Sequence, residues 1–134
     1  MPAATFSYLP HTADLRARLE APDLAGLYQA AADLVRDILV GESPVVAREA
    51  RALELGGGDE EERFHRFVRE LVYLYDTEGF LPLEVELDAS ARVRGETFDG
   101  ERHASERQIK AVTRHGYRFA QGADGCAAEL LFDL

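Results

Sequence analysis

Cysteine is nearly absent from this chain: Cys126 is the only one in 134 residues. One thiol excludes an intrachain disulfide framework and any metal site built on cysteine pairs. It also fits a reducing compartment. No apolar run approaches the roughly 20 residues that a membrane-spanning helix needs. The opening Met1-Pro2-Ala3-Ala4-Thr5 lacks the basic and apolar regions of a signal peptide, so the cytoplasm is the expected location. Basic residues are scarce too, with 15 Lys and Arg against 25 Asp and Glu, a net charge of -10. Nucleic-acid affinity comes mainly from Lys and Arg displacing counterions, so direct binding of RNA or DNA is not expected. A cation or a basic protein surface matches this charge better, although an acid excess that only aids solubility is the commoner case.

What is present suits one folded unit. Hydrophobic residues make up 46% of the chain and charged residues 30%, enough for a core at this length and a solvated surface. A single domain over 1–134 is expected, and no internal repeat or low-complexity segment interrupts it.

Thr5 to Leu9 is short, aromatic and β-prone. Pro10 breaks it, and His11-Thr12-Ala13-Asp14 follows as a polar turn. Leu15, Ala17 and Leu19 then alternate with Arg16, Arg18 and Glu20, the pattern of a half-buried strand. Asp23 is placed to cap a helix over 24–40, whose apolar stripe runs Leu24, Leu27, Ala31, Leu34, Val35 and Ile38. Gly41 stands where a left-handed C′ residue is wanted. A strand is expected over 45–55, closed by Gly56-Gly57-Gly58. That triglycine is a flexible turn rather than a phosphate loop, because no Lys-Ser/Thr follows and Asp59-Glu60-Glu61-Glu62 would repel phosphate. Asp59 caps a second helix that Gly79 ends, with the three glutamates at the positive end of its dipole. Phe64, Phe67, Val68, Leu71, Leu74 and Tyr75 form its buried face. Strands are expected over 81–87, 90–95, 109–121 and 127–132, the last two forming a hairpin about the 122–125 turn. The order is β-β-α-β-α-β-β-β-β. It indicates an α+β fold, a mostly antiparallel sheet with both amphipathic helices packed on one face.

Three polar clusters carry potential chemistry. The first is His11 to Asp14, between two strands. The second comprises His103, Lys110 and His115. The third is the terminus, where Asp133 lies one residue from Leu134 at the end of a strand. Carboxylates are ionised at neutral pH. If Asp14 meets Asp133 and the α-carboxylate of Leu134, three hard oxygen groups converge and suit a divalent cation, Ca²⁺ in preference to Mg²⁺ for its tolerance of irregular geometry. The residue pattern alone favours solvated carboxylates at a turn and a terminus over a metal site. The histidines lack a zinc spacing such as His-Glu-x-x-His, which leaves them as surface or hydrogen-bonded residues. Alternation puts Lys110 with Val112 and Arg114, opposite Ile109, Ala111 and Thr113. Lys110 is therefore either solvated or drawn to Asp14 or Asp133. No serine has a nucleophile elbow, and Cys126 reads as a small core or turn residue.

These segments, in this order, resemble the archease family. His11-Thr12-Ala13-Asp14 resembles its opening motif, and Gly95-Glu96 with Asp99 and His103 resembles a later segment. Ile109-Lys110-Ala111-Val112-Thr113-Arg114-His115 resembles its second signature, and Leu131-Phe132-Asp133-Leu134 its terminus. The resemblance implies a metal site of Asp14, Asp133 and Leu134, a functional lysine at Lys110, and roles in partner activation for His11, His103 and His115. It implies an accessory factor rather than an enzyme. The client would be the GTP-dependent tRNA-splicing RNA ligase, whose guanylylation and multiple turnover the family promotes. A chaperone-like role toward an RNA methyltransferase is also implied. A metal-dependent phosphoester hydrolase built on the same carboxylates is the enzymatic alternative. Two departures stand out. Arg114 occupies a position where the family usually has Tyr, and the first helix opens Leu24-Ala25-Gly26-Leu27-Tyr28, without the acidic pair often found there.

Overall fold

Two helices, the first covered on most of its circumference and the second on one face, set the plan of the molecule, as seen in a computed structural model that describes residues 4–9 and 14–134. Helix α1 spans Leu24–Val40, and Asp23, in extended conformation, accepts a hydrogen bond from Gly26 N at 2.8 Å. Ala30, Ala32, Leu39 and Val40 are buried along with Leu27, Ala31, Leu34, Val35 and Ile38 of the expected stripe, and Leu24 is half-buried. A helix covered on so much of its circumference needs neighbours on more than one side. Helix α2 spans Glu60–Glu78. Asp59 caps it through Glu62 N at 2.9 Å, and Gly79 ends it in the left-handed region at φ 70, ψ 18. Gly41 also has positive φ, but its ψ of -130 takes it outside the left-handed helical region expected of it.

The strands are β1 (Thr5–Leu9), β2 (Leu15–Ala21), β3 (Glu49–Leu53), β4 (Phe80–Leu87), β5 (Ala91–Thr97), β6 (Ala111–Gly122) and β7 (Gly125–Asp133). The α+β class and the element order agree with the sequence reading. The β structure is divided into two antiparallel sheets, however, ordered β1-β2-β7-β6 and β3-β5-β4. Helix α1 packs against β2 of one and β4 of the other, which explains its all-round burial. Buried residues of both helices and both sheets form one core, including Leu19, Tyr28, Leu34, Phe64, Phe67, Phe80, Val93 and Phe132.

Strand β3 is shorter than the expected 45–55 because the residues before it bond elsewhere: Val46 N donates to the Glu96 carboxylate at 2.7 Å. Strand β4 bulges between Pro82 and Glu84. The Gln29 side chain of α1 accepts from Val85 N and donates to Leu83 O, both at 2.8 Å. A helix side chain thereby satisfies groups that an edge strand would otherwise leave open.

Gly95 of β5 sits against the bulge, where a Cβ would lie 1.8 Å from Leu81 O. Gly95→Ala should force β4 and β5 apart and cost about 3 kcal/mol. Urea unfolding will show a midpoint close to that of the parent protein if the contact is relieved without cost.

Candidate functional site

The last strand runs between the second and the sixth. Leu15 pairs with Phe132 across β2–β7, and Val112 pairs with Phe132 across β6–β7. Continuing the β2–β7 register by one residue sets Asp14 across from Asp133. On the other side, Asp133 pairs with Ala111, and Lys110 N donates to Asp133 O at 2.7 Å. Asp14, Asp133 and the start of the second signature therefore meet at one end of the four-stranded sheet. Leu134 packs its side chain partly against the core, which holds the chain end at this corner. Asp133 is exposed, and strand alternation puts it on the sheet face turned away from the helices, with Glu129 and Leu131. Among the described residues, no three His, Cys, Asp or Glu side chains form a metal-sized group.

Lys110, the chain's single lysine, is exposed. The expected alternation through 109–113 fails at its start. Ile109 and Val112 are both buried, while Lys110 and Ala111 between them are exposed. The ladder begins only at Ala111, so the chain before it is free of the two-residue repeat.

His103 lies apart, buried at 4% exposure. Its Nδ1 accepts from Asp99 N at 2.9 Å, so Nε2 carries the proton toward Glu96 Oε2 at 3.2 Å. Glu96, 2% exposed, also takes hydrogen bonds from Arg102 and from Val46 N. The Arg102 hydrogen bonds, aided by Val46 N–H against an opposing effect of burial, hold the Glu96 carboxyl down at about 2. This network anchors a long irregular connection. Ala104 N bonds Ser43 Oγ at 2.9 Å, Glu106 N bonds Leu39 O at 2.9 Å, and the connection arrives at Lys110 and Asp133. His103 thus acts on Lys110 only through the backbone between them.

His115 sits on a broad bulge in β6, where the register shifts between Thr113 and Arg118. It is exposed, and its N–H donates to Thr113 Oγ1 at 3.0 Å. The bulge opposes Leu130, which puts it about 10 Å along the sheet from Asp133. His11 falls outside the described residues.

Sequence reasoning passed over the groups that hold this bulge. Arg114 forks onto both Glu62 oxygens at 2.8 Å, and Tyr117 Oη donates to Glu61 O at 2.7 Å. His65 is fully buried, meets Thr113 O at 3.2 Å and packs edge-on to the Tyr117 ring at 4.6 Å. Burial pushes its imidazole below the usual range despite the Thr113 carbonyl. The only sequence signal was a histidine on the apolar side of α2, beside Phe64. Arg114, the departure from the family pattern, is therefore engaged with α2. Cys126 is buried as expected, and burial pushes its thiol up.

A recess of about 370 Å³ lined by Tyr8, Leu15, Asp37, Ile38, Gly41, Glu106 and Arg107 comes close to the Asp133 corner through Leu15. Another recess, of about 560 Å³, lies at the far end of the sheet around the 122–125 turn.

The class defined by this arrangement is a small α+β protein with two antiparallel sheets about a buried helix, whose acidic and basic signature residues gather at one sheet end. Residues 6–134 match the archease protein family, and the chain belongs to that family. It is 30% identical to protein archease of Pyrococcus abyssi and 30% identical to that of Archaeoglobus fulgidus, each match covering 96% of this chain and 98% of the relative. The solution structure of Methanobacterium thermoautotrophicum protein 1598 has a similar fold, with a TM-score of 0.80 and 25% identity over 96% of this chain and 98% of that one. The crystal structure of an archease, possible chaperone, from Thermotoga maritima has a TM-score of 0.63 over 94% of each chain, at 20% identity. No helix among the described residues is long and apolar enough to cross a membrane.

The Glu96 network sets a pH dependence. A carboxyl held at about 2 when folded, against 4.5 ordinarily, adds stability that is complete above 4.5 and is lost as pH falls toward 2. Glu96→Gln should cost about 2–3 kcal/mol at pH 7 and flatten the stability profile between those two values. Equal slopes for the two proteins in acid titrations of unfolding would contradict this account.

Proposed function

We propose that this chain is a cytoplasmic accessory factor. It holds a divalent cation, Ca²⁺ in preference to Mg²⁺, and assists a GTP-dependent tRNA-splicing RNA ligase by promoting its guanylylation and turnover. Family membership and the possible-chaperone description of the Thermotoga maritima structure support an accessory role toward a protein partner. One observation carries the rest of the reading: the β2–β7 register that sets Asp14 across from Asp133, with Lys110 bonded beside them.

Two carboxylates on neighbouring strands repel each other, and a cation relieves that repulsion. The α-carboxylate of Leu134 is the third ligand in this reading. The donor set is all hard oxygen, which suits Ca²⁺ or Mg²⁺ and not a thiophilic metal. A cation there supplies a fixed positive charge. Asp14 and Asp133 bind and orient it, while Lys110 projects a second positive charge from the same corner toward the partner. An exposed site of this kind acts inside a partner's active site, where water is excluded and its charges count for more.

Two measurements test the reading. Calcium at about 100 times its dissociation constant should stabilise the protein by about 2.7 kcal/mol, and Asp133→Asn should abolish that gain. In a guanylylation assay with the purified ligase, Asp14→Asn, Lys110→Ala and Asp133→Asn should each lower the stimulation about tenfold or more. Full stimulation by all three variants would remove the proposal.

A further inference from the structure

Four residues of β6, Arg114 to Tyr117, stand opposite one residue of β7, Leu130, because pairing stops at Thr113–Leu131 and resumes at Arg118–Glu129. The ladder holds the strand on either side of this stretch but not the stretch itself. β6 is also an edge strand of its sheet. At the apex of the bulge Gly116 has φ 75, and a Cβ there would meet nothing within 4 Å, so the apex has room to move outward. The side-chain hydrogen bonds that tie the bulge to the rest of the fold run to α2. They are the Arg114 fork on Glu62, the Tyr117 hydroxyl on Glu61 O, and His65 on Thr113 O. The first two lie at the exposed surface, whereas His65 is fully buried.

The Thr113 carbonyl can only accept, so the Nε2 of His65 carries the proton. Nδ1 is then bare, and it has no partner among the described residues. A second proton would have to sit there, as a buried N–H with no acceptor on a ring that has become a cation. The groups acting on that ring are Glu62 and Arg69 from α2 and Arg114 from β6, with the Tyr117 ring edge-on at 4.6 Å. Both oxygens of Glu62, the one anion among them, already bind Arg114, and Arg69 adds a further positive charge. Burying an unpaired charge costs far more than burying the neutral ring. Water reaches Nδ1 at least cost if the bulge lifts from α2, because the pairing on both sides of it can stay.

We propose that His65 is a proton-operated latch: neutral, it clamps the Arg114–Tyr117 bulge to α2, and protonated, it lets that bulge lift into solvent while the β6–β7 ladder around it remains. The latch controls how Arg114 and His115 are presented. It depends on neither the cation nor the ligase. With the bulge open, His65 regains the ordinary value of 6.5, which burial lowers when the bulge is closed. The clamp is therefore at full strength above 6.5. Each pH unit below that shifts the balance up to about tenfold toward the open form, until the closed form takes up the proton as well.

Nuclear magnetic resonance of the full chain, titrated from about pH 7.5 to about pH 5, tests this. At the upper end the ring nitrogens of His65 should report a neutral imidazole protonated on Nε2. On acidification His65 should titrate below 6.5, and the Tyr117 ring and the amides of residues 114–117 should shift in step with it. The amides of 111–113 and 118–122 should hold their positions. His115→Gln removes the other imidazole of the bulge, and the change should persist in that variant. His65→Phe keeps an aromatic ring against Tyr117 but takes no proton, and it should abolish the change. If His65→Phe does not fold, Arg114→Gln decides. It frees Glu62 to favour the charged imidazole and loosens the bulge, so the change should move about half a unit or more toward neutral pH. The latch is overturned if His65 titrates while Tyr117 stays still, if His65 remains neutral until the whole chain unfolds, or if the acid change survives in His65→Phe. An Arg114→Gln protein whose change stays in place or moves to lower pH would overturn it too.

Discussion

The antiparallel ladder that inserts the last strand between β2 and β6 is the constraint on which the rest depends. Leu15, Phe132 and Val112 form a row across three strands. Phe132 is fully buried, so a slip of one residue would turn it out to solvent and bring Asp133 into the core. The cost of that slip fixes the register, and the register brings Asp14, Asp133 and Lys110 together. An exposed polar corner is thus positioned by an apolar row beneath it.

The same face shows how unlike charges are paired across neighbouring strands. Asp14 and Asp133 stand at one end, and in the rows that follow Arg16 and Arg18 share Glu129 while Arg18 also holds Glu20. Long-range repulsion from an acidic protein falls off within about 8 Å in physiological salt. A ligand on this face is therefore governed by the nearest side chains. Neither the net charge nor the composition describes that surface.

Around the corner, buried polar groups keep the supports in place. Glu96, His103 and Arg102 pin the connection that delivers Lys110, and Glu62, His65 and Tyr117 pin the β6 bulge. Glu96 and His103 are buried and hydrogen-bonded, which holds that network in a single geometry, whereas the Arg114–Glu62 pair is solvent-exposed and His65 Nδ1 has no partner among the described residues. His103 belongs among these supports rather than at the exposed corner. Arg114 does as well, through its fork to Glu62.

Helices α1 and α2, their caps at Asp23 and Asp59, and the β6–β7 hairpin were readable from the sequence, because periodicity, capping and turn chemistry act over a few residues. The motif residues came from the family resemblance and not from local pattern, which by itself read them as solvated surface groups. The division into two sheets, the burial of His65 and His103 and the bulge after Thr113 were not readable. Each follows from which distant segment covers a given face, and Ala30-Ala31-Ala32 carries no mark of the second sheet that packs against it. The neighbourhood of Asp14 and Asp133, 119 positions apart, was decided by tertiary structure alone. Strand pairing is a contact between remote segments whose register is chosen by the core beneath it.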